Sequence, residues 1–293
     1  MKFTNMKKIT SHISFLIRIL AITLFLLHGD FLGENTKNIP FVRKTFIEIK
    51  KNLDIGILNE NNDDGKTVFL FSHGLHLRTD AGKRCAQRNI HTQVITGTCV
   101  YFEYKDIHLN LDFGQTQDYE KFLSALAWTK NEFPTRNIVL IGVSRGCTPI
   151  LRYLTECNDP QIKAIVLESP FDSVENAIAH IATTYLAYLP YSDKILRLCL
   201  GVSQYNTQGY CTIDHTNIQN KYLPIFCAYF TSDLIVPPTG TKRIIAEFKK
   251  YGCSPTILEL NIKNGRHGHL YRCQEYIKHL HKFYYHHCIN LQK

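Results

Sequence analysis

From residue 66 onward, short apolar runs alternate with segments whose apolar residues recur at helical spacing. That alternation is the signature of strand–helix–strand units around a mainly parallel sheet. Thr67 to Ser72 (TVFLFS) is a buried-strand run closed by the turn His73-Gly74. Asn137 to Val143, Ala164 to Glu168, Pro224 to Thr231 and Thr256 to Ile262 predict further strands, and Gln93 to Thr96 a shorter one. Between them, Tyr119 to Glu132 carries Phe122, Leu123, Leu126 and Ala127 as one helical stripe. Cys147 to Thr155, Ile244 to Tyr251 and Leu270 to Tyr284 supply more helices, and Asp172-Ser-Val-Glu175 opens another in the manner of a capping box. The polar stretch from Glu34 to Lys66 contains a turn at Glu60 to Gly65 (ENNDDG), and no strand is placed in it.

The chain between Glu168 and Pro224 is longer than a single crossover helix requires. The excess includes Leu189-Pro190-Tyr191 and Leu198 to Tyr205, and it predicts a small helical lid over about residues 172–222. The expected fold class is therefore α/β. A mainly parallel central sheet is flanked by helices in one domain over residues 30–293.

Composition supports one large core and argues against disorder, with 44% hydrophobic and 20% charged residues in 293. The formal charge of +9 is partly N-terminal, because Lys2, Lys7, Lys8 and Arg18 precede the first acidic residue, Asp30. The remaining excess is spread along the chain with no Lys/Arg block, so no nucleic-acid partner is expected. Lys2, Lys7 and Lys8 form a positive n-region ahead of a mostly apolar run from Ile13 to Leu27. Its charge-free part, Ile19 to Leu27, falls well short of the ~20 apolar residues that span a bilayer. Residues 1–29 therefore read as a secretory signal, with export as the expected location. Leu-His-Gly-Asp at 27–30 offers no small-residue cleavage site, which leaves an uncleaved anchor and membrane association through the N-terminus as the alternative.

All ten cysteines follow residue 84. In an exported chain an even count suggests disulfides, with Cys199–Cys211 and Cys273–Cys288 the pairs to test first. Cys147 and Cys227, in apolar surroundings, also read as small core residues.

The candidate chemistry centres on Gly142-Val143-Ser144-Arg145-Gly146. As a bare pattern it would occur by chance in about one chain in ten of this length. Its setting sharpens it: a strand, Ile138-Val-Leu-Ile141, runs into it and a helix follows, with Pro149 in the first turn or so, where a missing N–H does little harm. A strand–sharp turn–helix lifts a serine out at the top of a sheet, and glycines allow the close backbone approach. A serine hydroxyl needs an adjacent base, itself oriented by a carboxylate. Asp233 follows one strand directly, and His267 lies in the glycine-rich loop Asn264-Gly-Arg-His-Gly-His269 after the last strand. Both stand at strand carboxyl ends, where α/β sheets place their ligands.

From Lys66 to the C-terminus the chain resembles the α/β-hydrolase superfamily. The matching motifs are Ser72-His73-Gly74, Gly142-Val-Ser144-Arg-Gly146, Leu167-Glu-Ser-Pro-Phe171, Ser232-Asp233 through Val236-Pro-Pro238, and Gly265-Arg-His267-Gly. The short insert before Asp233 resembles compact esterase and serine-peptidase-like members. The resemblance implies Ser144 as nucleophile, Asp233 as acid and His267 as base, acting on a small-molecule ester or a peptide. His267 is preferred to His269 because an apolar residue three positions on enters the last helix, as in the family. Asp172 is the rival acid, but capping the following helix suits it better. The oxyanion hole is expected from the backbone N–H groups of Arg145 and Leu75, with His73 holding that loop in shape and Gly74, Gly142 and Gly146 supporting the turns. The Arg145 side chain is either a core ion-pair partner or a contact for an anionic substrate. No H-E-x-x-H, C-x-x-C set, G-x-G-x-x-G or phosphate-loop pattern occurs, so neither metal nor nucleotide cofactor is implied.

Overall fold

The computed structural model describes residues 46–49, 54–58, 65–74, 80–91, 97–104, 117–185, 191, 218–263 and 265–289. Among the described residues eight strands form one sheet: β1 (Phe46–Ile49), β2 (Ile55–Leu58), β3 (Thr67–Ser72), β4 (Thr98–Phe102), β5 (Asn137–Val143), β6 (Ile162–Glu168), β7 (Ile225–Phe230) and β8 (Thr256–Leu260). Their order across the sheet is β1-β2-β4-β3-β5-β6-β7-β8. β2 runs antiparallel to both β1 and β4, and every other neighbouring pair is parallel.

Among the described residues there are six helices, five between strands and the last after β8: α1 (Ala81–His91), α2 (Gln117–Glu132), α3 (Cys147–Glu156), α4 (Val174–Tyr185), α5 (Pro238–Lys250) and α6 (Gln274–Tyr284). The central strands are buried on both faces and sort their side chains by the two-residue period of a strand. Val68, Leu70, Ile138 and Leu140 face a core closed by Phe122 of α2, Ile150 of α3 and Phe248 of α5. Phe69, Phe71, Val139 and Ile141 face the opposite core, closed by Ala86 of α1 and by Leu280 and Phe283 of α6. Helices thus cover both faces, which is the expected mainly parallel α/β architecture.

Several boundaries differ from the sequence reading. The strand expected near Gln93 lies at Thr98–Phe102, while Gln93 to Thr96 fall outside the described residues. β1 and β2 occupy the stretch in which no strand was placed, and α1 was not anticipated. α6 begins at Gln274, because Leu270–Arg272 form a separate 3₁₀ turn. α4 opens the expected lid insert, but it packs inward, with Val174, Ile178 and Ala182 sharing a small apolar core with Phe171 and Val236. Apart from Tyr191 and residues 218–222, the rest of the insert lies outside the described residues, as do residues 1–29. Among the described residues no helix is long and apolar enough to cross a membrane.

Candidate active site

Ser144 stands where β5 turns into α3 and is held in the left-handed region at φ 52°. A non-glycine residue is rarely found there, and the strain persists only where the surroundings over-determine it. Those surroundings are visible atom by atom. A Cβ on Gly142 would come within 2.8 Å of the Cys147 Cα, and a Cβ on Gly146 would overlap the Ser72 carbonyl oxygen. On Gly74 it would stand 3.3 Å from the Ser144 Cβ. The three glycines therefore let the turn, the helix start and the end of β3 close on one another around a serine that is 8% exposed. Pro149 is the third residue of α3, within its first turn.

Asp233 and His267 come together from the ends of β7 and β8. The His267 Nδ1 lies 2.8 Å from Asp233 Oδ2, and Asp233 Oδ1 accepts the backbone N–H groups of Ile235 (2.9 Å) and Val236 (3.0 Å). Burial pushes the Asp233 carboxyl up, but the His267 charge and hydrogen bond and those two N–H groups outweigh it, so it sits below its ordinary value. An ionised Asp233 can only accept, so the His267 Nδ1 is the donor of this bond. The carbonyl of Asp233 lies 2.9 Å from Nε2 of His180, which fastens α4 to the Asp233 loop. His269 is buried with its ring edge-on to Tyr271.

Asp172 has other work. Its carboxylate accepts the Asn176 side chain at 2.6 Å, the Arg243 guanidinium at 2.8 Å and the Ser173 N–H at 2.9 Å. The helix cap itself falls to Ser173, whose Oγ accepts the Asn176 N–H at 3.1 Å, one residue later than the expected Asp172 cap.

The Arg145 side chain is a buried ion-pair partner. It is 1% exposed, and its Nε and a terminal nitrogen each lie 2.6 Å from an oxygen of Asp118 on α2. Its guanidinium also stacks 4.6 Å from the Tyr104 ring centroid. This side chain faces the interior, so it does not meet a substrate. Nearby, the Tyr104 N–H donates to His73 Nε2 at 3.2 Å, which leaves the proton on Nδ1 to bind the Gly74 carbonyl at 2.7 Å. His73 is thus tied to backbone through both nitrogens. Leu75 lies outside the described residues.

Cys147, Cys157, Cys227, Cys253 and Cys273 are free thiols, so the expected Cys273–Cys288 pair is not formed; Cys199 and Cys211 are outside the described residues. Cys147 and Cys227 are core residues, and burial raises the Cys227 thiol to about 12. No group of His, Cys, Asp and Glu among the described residues is arranged to hold a metal ion.

The architecture has known counterparts. An esterase from Pyrococcus furiosus superposes over 87% of this chain and 95% of its own, with a TM-score of 0.62 at 16% identity. A serine hydrolase without lid from Xanthomonas campestris covers 85% of this chain and 97% of its own, with a TM-score of 0.52 at 11% identity. This chain has the α/β-hydrolase fold. An acylaminoacyl peptidase from Pyrococcus horikoshii shares that fold over 87% of this chain but only 43% of its own length, with a TM-score of 0.55 at 14% identity. No family model and no curated protein matches the sequence. Asp233 and His267 follow the turn at Ser144 in chain order, each just beyond the end of a strand of the same sheet. Sequence reasoning gave no role to Asp118 and Glu168, which are buried, or to Glu103, which is half-buried. Their partners lie far off in the chain, so local patterns carry no signal of them.

Proposed function

We propose that the protein is a serine hydrolase that cleaves a carboxylic ester or related acyl bond through Ser144, His267 and Asp233. The observation that carries this reading is the 2.8 Å bond between His267 Nδ1 and Asp233 Oδ2, at the same end of the sheet as the strained serine turn. In the proposed reaction Ser144 Oγ attacks the carbonyl carbon while His267 Nε2 takes its proton, and Asp233 stabilises the resulting imidazolium. Backbone N–H groups of Arg145 and Leu75 receive the oxyanion. Collapse breaks the acyl–oxygen bond, with His267 returning the proton to the departing alcohol. Water, deprotonated by the same imidazole, then attacks the acyl-enzyme, and Ser144 leaves with its proton restored.

Fluorophosphonate labelling of wild type and Ser144→Ala tests the reading, beside hydrolysis of p-nitrophenyl esters of graded acyl length. The expected result is labelling and turnover by the wild type alone. A Ser144→Ala variant with full esterase activity, or a wild type inert to the probe, would overturn it; the latter result favours a binding protein on a hydrolase fold. A peptide-cleaving variant of the same mechanism is favoured by the likeness to the acylaminoacyl peptidase, and an N-acylated peptide panel separates it from the ester reading. We also propose that residues 1–29 direct export or anchor the chain to a membrane. A reporter fused behind them that remains in the cytosol would overturn that assignment.

A further inference from the structure

The proposed acyl transfer leaves one buried carboxylate beside the site without a task. Glu168 ends β6, paired in register with Val143, the residue before Ser144, and with Ala228 of β7. Its Oε1 accepts the hydroxyl of Tyr276 at 2.5 Å, and its backbone carbonyl accepts the Cys147 thiol at 3.5 Å. Cys147 is the first residue of the helix after Ser144, and Tyr276 lies in the first turn of the helix that the His267 loop leads into. Glu168 thereby joins the element behind the nucleophile to the element behind the base.

The groups around it come from several elements: Tyr276 of α6, Cys147 of α3 and His267 of the loop after β8, with Cys227 of β7 and Cys85 of α1 beyond Cys147, and Tyr284 of α6 beyond Tyr276. Burial pushes Cys147, Cys227 and Tyr276 upward, so they stay uncharged at neutral pH. His267 is the neighbour able to carry positive charge. We propose that Glu168 is a positioning residue for His267: it anchors α6 through Tyr276 and offers the imidazolium a second negative charge beside that of Asp233. The inference rests on the hydrolase reading above. Burial raises the Glu168 carboxyl to about 7, against the pull of the Tyr276 hydroxyl and the His267 charge, so this charge is gained near neutral pH and is coupled to the base.

A nearby negative charge favours the protonated imidazole, so removing it lowers the pH at which the base is freed. Glu168→Gln keeps the volume and an acceptor for Tyr276, and Tyr276→Phe removes the donor that favours the ionised carboxylate. The experiment is the pH profile of the second-order rate of fluorophosphonate labelling for wild type and both variants, with folding checked by circular dichroism. For Glu168→Gln the expected result is an acid limb moved down by about 0.5–1 pH unit and a plateau lowered roughly 3–10-fold. Tyr276→Phe should move the limb the same way by a smaller amount, and it carries the test if Glu168→Gln does not fold. Limbs that coincide with the wild type in the folded variants overturn the inference, even if the plateau or the stability falls, since a merely structural role would do only that. A wild type that never labels instead fails the hydrolase reading itself.

Discussion

At Ser144 the requirements of folding and of the proposed chemistry diverge. The backbone is held at φ 52°, where a side chain costs about 1 kcal/mol or more that glycine would not. Ser144→Gly should therefore unfold at higher temperature than Ser144→Ala in a thermal scan, while both fail to label. At Asp233 the prediction concerns rate: Asp233→Asn removes the group that keeps the His267 proton on Nδ1, and kcat should fall about 10⁴-fold with the fold retained. Arg145 shows how one contact decides between two roles that the sequence left open. Its pairing with Asp118 is buried on both sides, so removing either partner leaves a charge without compensation. Arg145→Met should cost about 3–5 kcal/mol in urea unfolding, and the double variant with Asp118→Leu should recover much of it.

At the scale of elements, the sequence made the inner strands plain and the outer ones obscure. β3, β5, β6 and β7 are buried on both faces, so their middles form apolar runs that stand out from any flanking helix. β1 and β2 have four residues each in a polar stretch, too few to establish a period. α1 (AGKRCAQRNIH) has few apolar residues to form a stripe, and β4 begins just beyond the run that suggested it. The candidate site was legible where it hangs on the ends of legible strands: Ser144 after β5, Asp233 after β7, His267 after β8. Its bracing was not, because Asp118 meets Arg145 and Glu168 meets Tyr276 only through the tertiary fold. The turn between β5 and α3 also fixes what can be changed. Gly146→Ala sets a methyl group against the Ser72 carbonyl, which should lower stability by roughly 3 kcal/mol or more and abolish labelling, as read by denaturation and probe reactivity.

Across the whole molecule, the two carboxyls raised to about 7 set a trend with pH. Glu103 receives the Gly82 and Lys83 N–H groups at the start of α1 and lies 3.5 Å from His73 Nε2, and burial is the main cause of its shift. A carboxyl raised in the folded state binds its proton more tightly there than in the unfolded chain. Its stabilising contribution is complete below the unfolded value and is lost as pH climbs through about 7. Glu103→Gln does not titrate, so its stability relative to wild type should improve by about 2 kcal/mol between pH 4.5 and 8, partial exposure allowed for. Melting temperatures of the pair across that range check it. The bond from Glu168 to Tyr276 spans 108 positions of chain, and it sets a timetable as well as a shape. Contacts so distant in sequence form late, after local helices and neighbouring strands have condensed. On refolding, far-ultraviolet ellipticity should return before reactivity towards a fluorophosphonate, with the interval between them being the time in which β7, β8 and α6 close onto a half-made sheet.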